Sequence, residues 1–448
     1  MAGSRHHDGS QDSVILGPIL ETGRGFYITT AVLLAIVGWA VIVWLLQLRD
    51  GLGLTGLNRP VMWGIYITNF VFFIGLSHAG TLISAILRLC KAEWRRAITR
   101  CAEVLTVLVL FIGMSNVVLD LGREDRVLNV ITHPHLRSPL LWDVISVTTY
   151  LIASTIYLFL PLIPDIAMMR DYTTKRRWLY RTLALGWQGT EKQWKRLERA
   201  ITVMAVIVLP IAVSVHTVVS WVFGMTIQPM WHSTIFGPYF VAGAIFSGIA
   251  ALIVAMAVLR WAYGFEEYFK PVHFRNLGAL LLVMTLLWFY FTFAEFLTTY
   301  YGGEPAHMLV FDAKLSGPYA PLFWTMVACC FVIPFAILAP NRTRNISGTV
   351  IASISVMTGM WLERYLIVVP TLANPRLAYP RGVYYPSWVE LSLTAGCFAA
   401  FILLYALFSK VFPIISVWEI REGRTQGIDE AMERIEGYLP GAHKLSPV

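Results

Sequence analysis

Ionisable and polar side chains occur inside two apolar runs of the chain, residues 61–89 and 98–120, where hydrocarbon would not tolerate them without reason. These side chains are Tyr66, Asn69, His78, Arg88, Arg100, Glu103 and Asp120. Because such groups are costly at membrane depth, they usually face protein or water and take part in function. An imidazole and carboxylates placed in this way are suited to accepting protons from a substrate that is being oxidised.

His78 lies near the middle of the first of these runs, and its surroundings allow three interpretations. The imidazole hydrogen-bonds a backbone carbonyl of a neighbouring helix, or it hydrogen-bonds a redox-active headgroup such as a quinol. In the third interpretation it ligates a haem together with His216. The sequence alone leaves all three open.

Asp120 and Asp143 lie on either side of the loop between two apolar runs. A helix C-terminus disfavours an anion, and Arg123 is close enough in sequence to pair with Asp120. Asp143 follows Ser138 and Pro139, a pattern typical of a helix start, where an acid is favoured whatever its function. The two acids predict proton uptake at one membrane face. For Asp120 the alternative is an ion pair with Arg123 at the interface. For Asp143 it is an acid that only stabilises the start of its helix.

Further ionisable residues recur at depth along the chain. They are Arg100, Glu103, Asp165, Arg170, His216, Glu295, Glu363 and Arg364. We interpret them as candidates for proton routes, with structural ion pairing as the competing explanation for each. Glu363 and Arg364 are the clearest case, because adjacent opposite charges stand inside an apolar run.

The chain lacks the usual signatures of a resident metal or nucleotide. Its five cysteines include no Cys-x-x-Cys pair, which disfavours an iron–sulfur or zinc site. His133 and His135 share a loop and are predicted to make surface or partner contacts. No phosphate-binding glycine loop, nucleophile elbow or metal motif occurs.

Apolar runs long enough to cross a bilayer recur over the whole length of the chain. Of its residues, 57% are hydrophobic and 14% charged, whereas soluble domains carry about 25% charged residues. The runs are continuous rather than alternating, which predicts helices and not a barrel. We therefore predict an all-α integral membrane protein. Its ten spans are 26–48, 61–89, 98–120, 139–163, 201–224, 239–262, 277–301, 318–339, 348–369 and 387–411.

Spans two to five and six to nine are predicted to form two four-helix bundles, with the first and last spans outside them. Small residues at Ser77, Gly80, Thr81 and Ser84 predict close helix packing in the first bundle. The predicted parts are an N-terminal tail (1–25), a peripheral helix and outer loop (26–60), the first bundle (61–224) with a cytoplasmic loop (164–200), the second bundle (225–370), an outer loop and peripheral helix (371–411), and a C-terminal tail (412–448).

Lysine and arginine predict the orientation of these spans. One set of loops and both tails hold 23 of these residues, and the other set of loops holds 8. The positive-inside rule then places both termini in the cytoplasm. The same asymmetry accounts for the net charge of +8, so no nucleic acid is implied. The largest cytoplasmic segment, residues 163–200, mixes tryptophans with bases and is predicted to lie on the anionic membrane surface, with a soluble docking loop as the alternative.

The chain resembles membrane subunits of the polysulfide-reductase/NrfD type in RPVMWGIYITNFVFFIGLSHAGTLISAILRL and in WRRAITRCAEVLT. It is similar to the ten-helix versions found in bacterial alternative complex III in GWQGTEKQW, LPIAVSVHTVVSW and MWHSTIFGPYFVAGAIFSGIA. The resemblance covers about residues 20–415. It departs at Val222, where an acidic residue is expected, and this puts one proton-relay position in doubt.

The resemblance implies a subunit of the bacterial cytoplasmic membrane that oxidises quinol, here menaquinol, near the outer end of the first bundle. The implied quinol pocket comprises Tyr66, Asn69, His78, Asp120, Arg123 and Asp143, of which His78, Asp120 and Asp143 are the catalytic groups. The family holds no metal or haem in this subunit and passes electrons to an extracytoplasmic iron–sulfur/molybdopterin-like subunit. A paralogous ten-helix subunit, multihaem cytochrome c subunits and membrane lipid are the other implied partners, and proton translocation is implied.

Three alternatives remain at the level of function. The full match in the first bundle favours the quinol-binding subunit over its paralogue, a non-quinol-binding proton-channel subunit. A secondary transporter would show broken helices at matching places in the two halves. A haem-bearing membrane anchor would show a Soret band.

Overall fold

The computed structural model describes residues 15–174, 176–379 and 382–425, and within these ranges it contains helices but no strand. Among the described residues, ten helices are long and apolar enough to cross a membrane. They are α1 (Arg24–Asp50), α2 (Ile65–Leu89), α3 (Thr99–Asp120), α4 (Pro139–Tyr172), α5 (Glu191–Gly224), α6 (Phe236–Tyr263), α7 (Pro271–Gly302), α8 (Ala320–Leu338), α9 (Ile346–Ala373) and α10 (Trp388–Ser409). The predicted all-α, ten-span class is confirmed.

The long helices pack as two rings of four. In the first ring α2 contacts α3 and α5, and α4 closes the ring between them. In the second ring α6 contacts α7 and α9, and α8 lies between those two. Helices α2 and α5 join the rings through α6, and α1 packs mainly on α10, outside both. These contacts confirm two four-helix bundles with a peripheral pair.

Helix α2 is central because it packs against both bundles. In its apolar window 88% of the residues are buried, a larger share than in any other long helix described. Small residues bring its backbone close to α3. A side chain at Gly80 would meet the carbonyl of Ala102 and the hydroxyl of Thr106, and that hydroxyl donates to the carbonyl of Ser77 at 2.7 Å. The predicted close packing at these small residues is confirmed.

We expect Gly80→Ala to destabilise the protein, whereas Gly38→Ala should not. A methyl group at Gly80 overlaps the α3 backbone, and such overpacking costs about 1–3 kcal/mol. A methyl group at Gly38, in α1, meets nothing within 4 Å and gains helix propensity. Thermal unfolding of the two purified variants, followed by tryptophan fluorescence, measures the difference. Equal melting temperatures would show that α2 and α3 are not so closely packed.

Loops and helix ends collect on two faces of the molecule. The first, which we call the basic face, comprises residues 90–98, 173–190, 264–270, 339–345 and 410–425. The second, the opposite face, comprises residues 51–64, 121–138, 225–235, 303–319 and 374–387. Contacts across each face hold it together: the hydroxyl of Tyr180 donates to the carbonyl of Val411 on the basic face. On the opposite face Arg376 pairs with Glu304 at 3.2 Å. That the basic face is cytoplasmic stays a prediction.

The predicted surface segment 163–200 is wrong as a single stretch. Helix α4 continues to Tyr172, and α5 begins at Glu191 behind a capping box between Thr190 and Gln193. Apolarity marks where a helix leaves the bilayer, but caps and backbone hydrogen bonds decide where it ends. Only a short helix, Arg177–Leu183, stands by itself between them.

Candidate functional site

The opposite-face end of the first bundle is organised around Tyr66. Its buried hydroxyl donates to Oε1 of Gln47 at 2.6 Å, and Nε2 of Gln47 donates to the carbonyl of Leu119 at 2.8 Å. These two hydrogen bonds connect α1, α2 and α3 one residue before Asp120. Tyr66 also lies within electrostatic range of Asp120. Asp120 therefore belongs to a fixed part of the structure.

Asp120 and Asp143 each present a buried carboxylate oxygen, Oδ1, with no hydrogen-bond partner among the described residues. Asp120 ends α3 and Asp143 lies in the second turn of α4, and these helices pack against each other. A buried acceptor without a partner costs about 1–3 kcal/mol. Buried polar atoms are usually hydrogen-bonded, so each of these oxygens is able to accept a further hydrogen bond. This end of the bundle therefore has one free acceptor on α3 and another on α4.

A third carboxylate, Glu390, lies within electrostatic range of Asp120 but is fully engaged. It accepts hydrogen bonds from the hydroxyl of Tyr384 at 2.5 Å and from the backbone of Gly56 and Ser387 at 2.7 and 2.8 Å. Glu390 thus fastens α10 to the loop after α1. Both oxygens of Glu390 therefore have hydrogen-bond donors, whereas Oδ1 of Asp120 has none among the described residues.

The predicted pairing of Arg123 with Asp120 is wrong. Helix α3 ends at Asp120, so the three-residue helical spacing does not continue to Arg123. Arg123 instead makes two hydrogen bonds of 3.0 Å with Asp125 on an exposed loop. Arg123 therefore does not neutralise either free aspartate.

His78 lies deep in the bundle, away from the aspartates. It is twelve residues from Tyr66, which corresponds to about 18 Å along a helix axis. Its Nε2 donates to the carbonyl of Ala212 at 2.6 Å, so the buried ring bridges α2 and α5. This is the interhelical bond that the sequence left open as one interpretation. One headgroup does not reach both His78 and Tyr66.

The paired histidines do not fit shared haem ligation. The rings of His78 and His216 contact each other edge to face, with centroids 3.8 Å apart. Two axial imidazoles must lie on opposite sides of a porphyrin, and this contact leaves no space for one. Neither ring nitrogen of His216 has a hydrogen-bond partner in the described part of the chain.

Asn69 faces the second bundle and the peripheral helix rather than the aspartates. Its amide donates to the hydroxyl of Thr394 at 2.9 Å and accepts from the indole of Trp361 at 2.9 Å. These bonds connect α2 to α9 and α10. The six residues predicted for the quinol pocket therefore do not form one cluster, and Tyr66, Asp120 and Asp143 share the opposite-face end.

The predicted charges of the second bundle are ion-paired or hydrogen-bonded. Glu363 and Arg364 pair with each other, and the indole of Trp288 donates to Glu363 at 3.1 Å. The Arg364 guanidinium also lies over the ring of Phe240, 5.2 Å from its centroid. The ion-pair interpretation of Glu363 and Arg364 is therefore the one that the side chains adopt.

Glu295 lies near the opposite face, where it accepts a hydrogen bond from Ser233. A neighbour that the sequence analysis missed is Lys314, buried in the short helix Pro305–Leu315. Burial lowers the pKa of Lys314 to about 8, although the charge of Glu295 acts in the other direction. The sequence could have indicated this residue, because Lys314 is the single lysine or arginine in residues 303–317.

Arg100 and Asp165 form a buried ion pair that anchors the C-terminal segment. Arg100 also donates to the hydroxyl of Ser416 at 3.1 Å, and Asp165 accepts from the backbone of Val417 and Trp418 at 3.2 Å each. These amides begin a helix over residues 417–425. The predicted tail 412–448 is thus, in its described part, a docked helix whose N-terminus Asp165 caps.

Glu419, in that helix, was also missed. Its carboxylate pairs with Arg88 at 2.6 Å and Arg95 at 3.3 Å. Behind this pair Glu103 is buried and accepts from the hydroxyl of Ser84 at 2.5 Å. The docked helix therefore closes the basic-face end of the first bundle over Glu103.

Arg170 lies at the edge of the basic face rather than inside the bundle. It pairs with the exposed Asp171 at 2.8 Å and donates to the carbonyl of Trp187 at 3.0 Å. These bonds hold the end of α4 against the loop before α5. Ion pairing is thus the interpretation that the side chain of Arg170 adopts.

We expect the stabilising effect of Glu419 to disappear in acid. Burial alone would raise the pKa of Glu419, but Arg88 and Arg95 outweigh it and hold the pKa below its usual value. Such a group stabilises the fold above its unfolded pKa of about 4.3. This contribution is lost as the pH falls through the lowered folded value.

The test compares melting temperatures of the wild type and Glu419→Gln over pH. The wild type should be more stable by a constant amount from about pH 7 to about pH 5, and the gap should close below about pH 4. A gap that widens in acid would show that Glu419 is not held as an anion by its arginines.

The fold and the buried groups together define a multi-pass helical membrane protein with ionisable side chains inside two bundles. The chain belongs to the NrfD family, since the family profile described as "Polysulphide reductase, NrfD" matches residues 53–375. This confirms the resemblance at the level of the family.

Relatives of known designation cover nearly the whole chain. It is 25% identical over 430 residues to a putative dimethyl sulfoxide reductase membrane subunit of Halobacterium salinarum, covering 90% of this chain and 95% of the relative. It is 23% identical over 414 residues to a selenate reductase subunit of Mesobacillus selenatarsenatis, covering 88% and 95%. It is 23% identical over 389 residues to an Hdr-like menaquinol oxidoreductase integral membrane subunit of Archaeoglobus fulgidus, covering 83% and 89%.

Proposed function

We propose that this chain is the quinol-binding membrane subunit of a quinol:electron-acceptor oxidoreductase of the alternative complex III type. Family membership supports a role in a redox complex, and the Archaeoglobus relative is designated a menaquinol oxidoreductase subunit. The single observation that carries the proposal is the pair of partnerless buried oxygens on Asp120 and Asp143.

In this proposal the quinol headgroup binds between the opposite-face ends of α3 and α4. The ring hydroxyls of a quinol are donors, and Oδ1 of Asp120 and Oδ1 of Asp143 are free acceptors, so the residues fit the ligand. Tyr66 holds the α2 side of the site in place through Gln47. His78 acts at a distance, by joining α2 to α5.

Oxidation of the quinol releases two electrons and two protons and yields the quinone. In the proposed mechanism each aspartate takes a proton from a ring hydroxyl as a general base and releases it at the opposite face. The quinol carries the electrons, and the protein supplies position and electrostatics. The electrons pass to an iron–sulfur/molybdopterin-like partner subunit docked on that face.

The remaining parts of the assembly follow from the same proposal. The protein lies in the bacterial cytoplasmic membrane with the basic face and both termini inside, beside a paralogous ten-helix subunit and multihaem cytochrome c subunits. Buried acids such as Glu103, Asp165 and Glu295 contribute to proton translocation.

Binding of a quinol analogue to the purified complex tests the proposal. A fluorescent hydroxyquinoline N-oxide inhibitor should be quenched stoichiometrically by the wild type, and Asp120→Asn with Asp143→Asn should weaken this at least tenfold. Asp125→Asn is the matched control, because Asp125 is an exposed carboxylate in the loop between the same helices. An assembled complex that binds no quinol analogue would instead support the non-binding paralogue or a transporter.

A further inference from the structure

Helix α5 presents one continuous exposed stripe along its length. Its buried face includes Leu197, Ile201, Ala205 and Val208. The opposite side is exposed and changes its chemistry near residue 200. Before that point the stripe consists of Lys192, Lys195, Arg196 and Arg199, and after it of Val203, Val206, Ile207, Pro210 and Val213.

The basic part of the stripe is an open groove with unsatisfied positive charge. The groove has a volume of about 500 Å³ and is lined by Glu191 and the four cations. Lys195 pairs with Glu191 at 2.6 Å. Lys192, Arg196 and Arg199 make no ion pair or hydrogen bond with the residues that the structure describes. Three cations are therefore available to an anion.

The length of α5 places these cations at the membrane boundary. A hydrocarbon core of about 30 Å holds about 20 residues of a helix. Because α5 has 34 residues, about 14 of them lie outside the hydrocarbon. With Gly224 at the opposite interface, Arg196 and Arg199 fall at the level of the lipid headgroups. Val206, Ile207 and Val213 then fall among the acyl chains, and Val203 falls at the boundary between the acyl chains and the headgroups.

We propose that this stripe binds an anionic phospholipid, with its phosphate held by Lys192, Arg196 and Arg199 and an acyl chain along Val203, Val206 and Val213. The occupant follows from complementarity at both ends, since a soluble phosphate would match the cations but not the apolar stripe. Long basic side chains also reach toward a headgroup while covering apolar surface with their stems. This site is independent of the proposed quinol site, which lies on the opposite face.

Lipid titration of the purified complex, followed by native mass spectrometry, tests the proposal. The probes are dioleoyl-phosphatidylglycerol and dioleoyl-phosphatidylcholine. Each cation near an anionic headgroup contributes about fivefold in affinity, so Lys192→Gln with Arg196→Gln and Arg199→Gln should weaken phosphatidylglycerol binding on the order of 100-fold. Binding of phosphatidylcholine should change little. Arg59→Gln with Arg126→Gln and Arg137→Gln removes the same charge from the opposite face and should leave phosphatidylglycerol binding unchanged.

Two further arms distinguish the source of the anion. Glycerol 1-phosphate should not displace the lipid at equal concentration, and Val203→Ser with Val206→Ser should weaken the lipid without any change of charge. An equal loss of phosphatidylglycerol binding in the triple variant of the opposite face would show that binding depends on net charge alone. That result would overturn the proposal. Full competition by glycerol 1-phosphate, or no preference for the anionic lipid, would also overturn it.

Discussion

Asp120→Asn and Asp143→Asn are each expected to lower quinol turnover by the assembled complex about 100-fold or more, the usual contribution of a general base. Asparagine preserves the size of the side chain but does not take a proton. Both Oδ1 atoms are buried and have no partner in the described part of the chain, so neither substitution breaks a hydrogen bond seen there for that oxygen. The expected loss is therefore in kcat rather than in assembly.

The double variant distinguishes one shared site from two separate functions. If both aspartates serve one headgroup, their effects are not additive, and the double variant should resemble the worse single variant. Asp125→Asn should retain wild-type turnover, because Asp125 pairs with Arg123 on the surface. Wild-type turnover in both single variants would exclude these aspartates as bases.

Arg100→Ala is expected to destabilise the protein by about 3–5 kcal/mol, because it leaves the buried carboxylate of Asp165 without its partner. The same substitution removes donors to Ser416 and to the carbonyl of Pro161. The helix over residues 417–425 should then detach from the first bundle. Limited proteolysis of the C-terminus and thermal unfolding measure the two consequences.

A double substitution separates loss of the ion pair from loss of packing. Arg100→Met with Asp165→Asn removes both charges but keeps an acceptor for the amides of Val417 and Trp418, and it should recover part of the stability lost in Arg100→Ala. Arg49→Ala is the control, since its pair with Asp50 is exposed, and it should not change the melting temperature. A stable Arg100→Ala protein with a protected C-terminus would contradict the anchoring role.

Patterns along the chain were sufficient to predict the ten helices and their division into bundles. Each apolar run is long and continuous, and small residues such as Gly80 mark where α2 meets α3. The ends of α4 and α5 were misjudged because helices continue into water when charged residues and a capping box support them. The docked helix at 417–425 was missed because its fixing groups, Arg100 and Asp165, lie more than 250 residues earlier in the chain.

The candidate site was only partly predictable for a similar reason. Residue type and depth marked Tyr66 and Asp120 among seven polar or ionisable residues, and position at a helix start marked Asp143; these three do share one end of the bundle. Depth along a helix is also readable from sequence, and it separates His78 from Tyr66 by about 18 Å. The sequence does not predict which neighbouring helix a side chain of α2 faces, because α2 has partners on all sides. Asn69 therefore faces α9 and α10, and His78 faces α5.

A cryo-electron microscopy map of the assembled complex with a bound quinol analogue tests the central claim most directly. We predict headgroup density within hydrogen-bonding distance of Oδ1 of Asp120 or Asp143, between the opposite-face ends of α3 and α4, and an iron–sulfur cluster of the partner subunit on that face. Lipid filling that position, with the analogue bound elsewhere or not at all, would contradict the account.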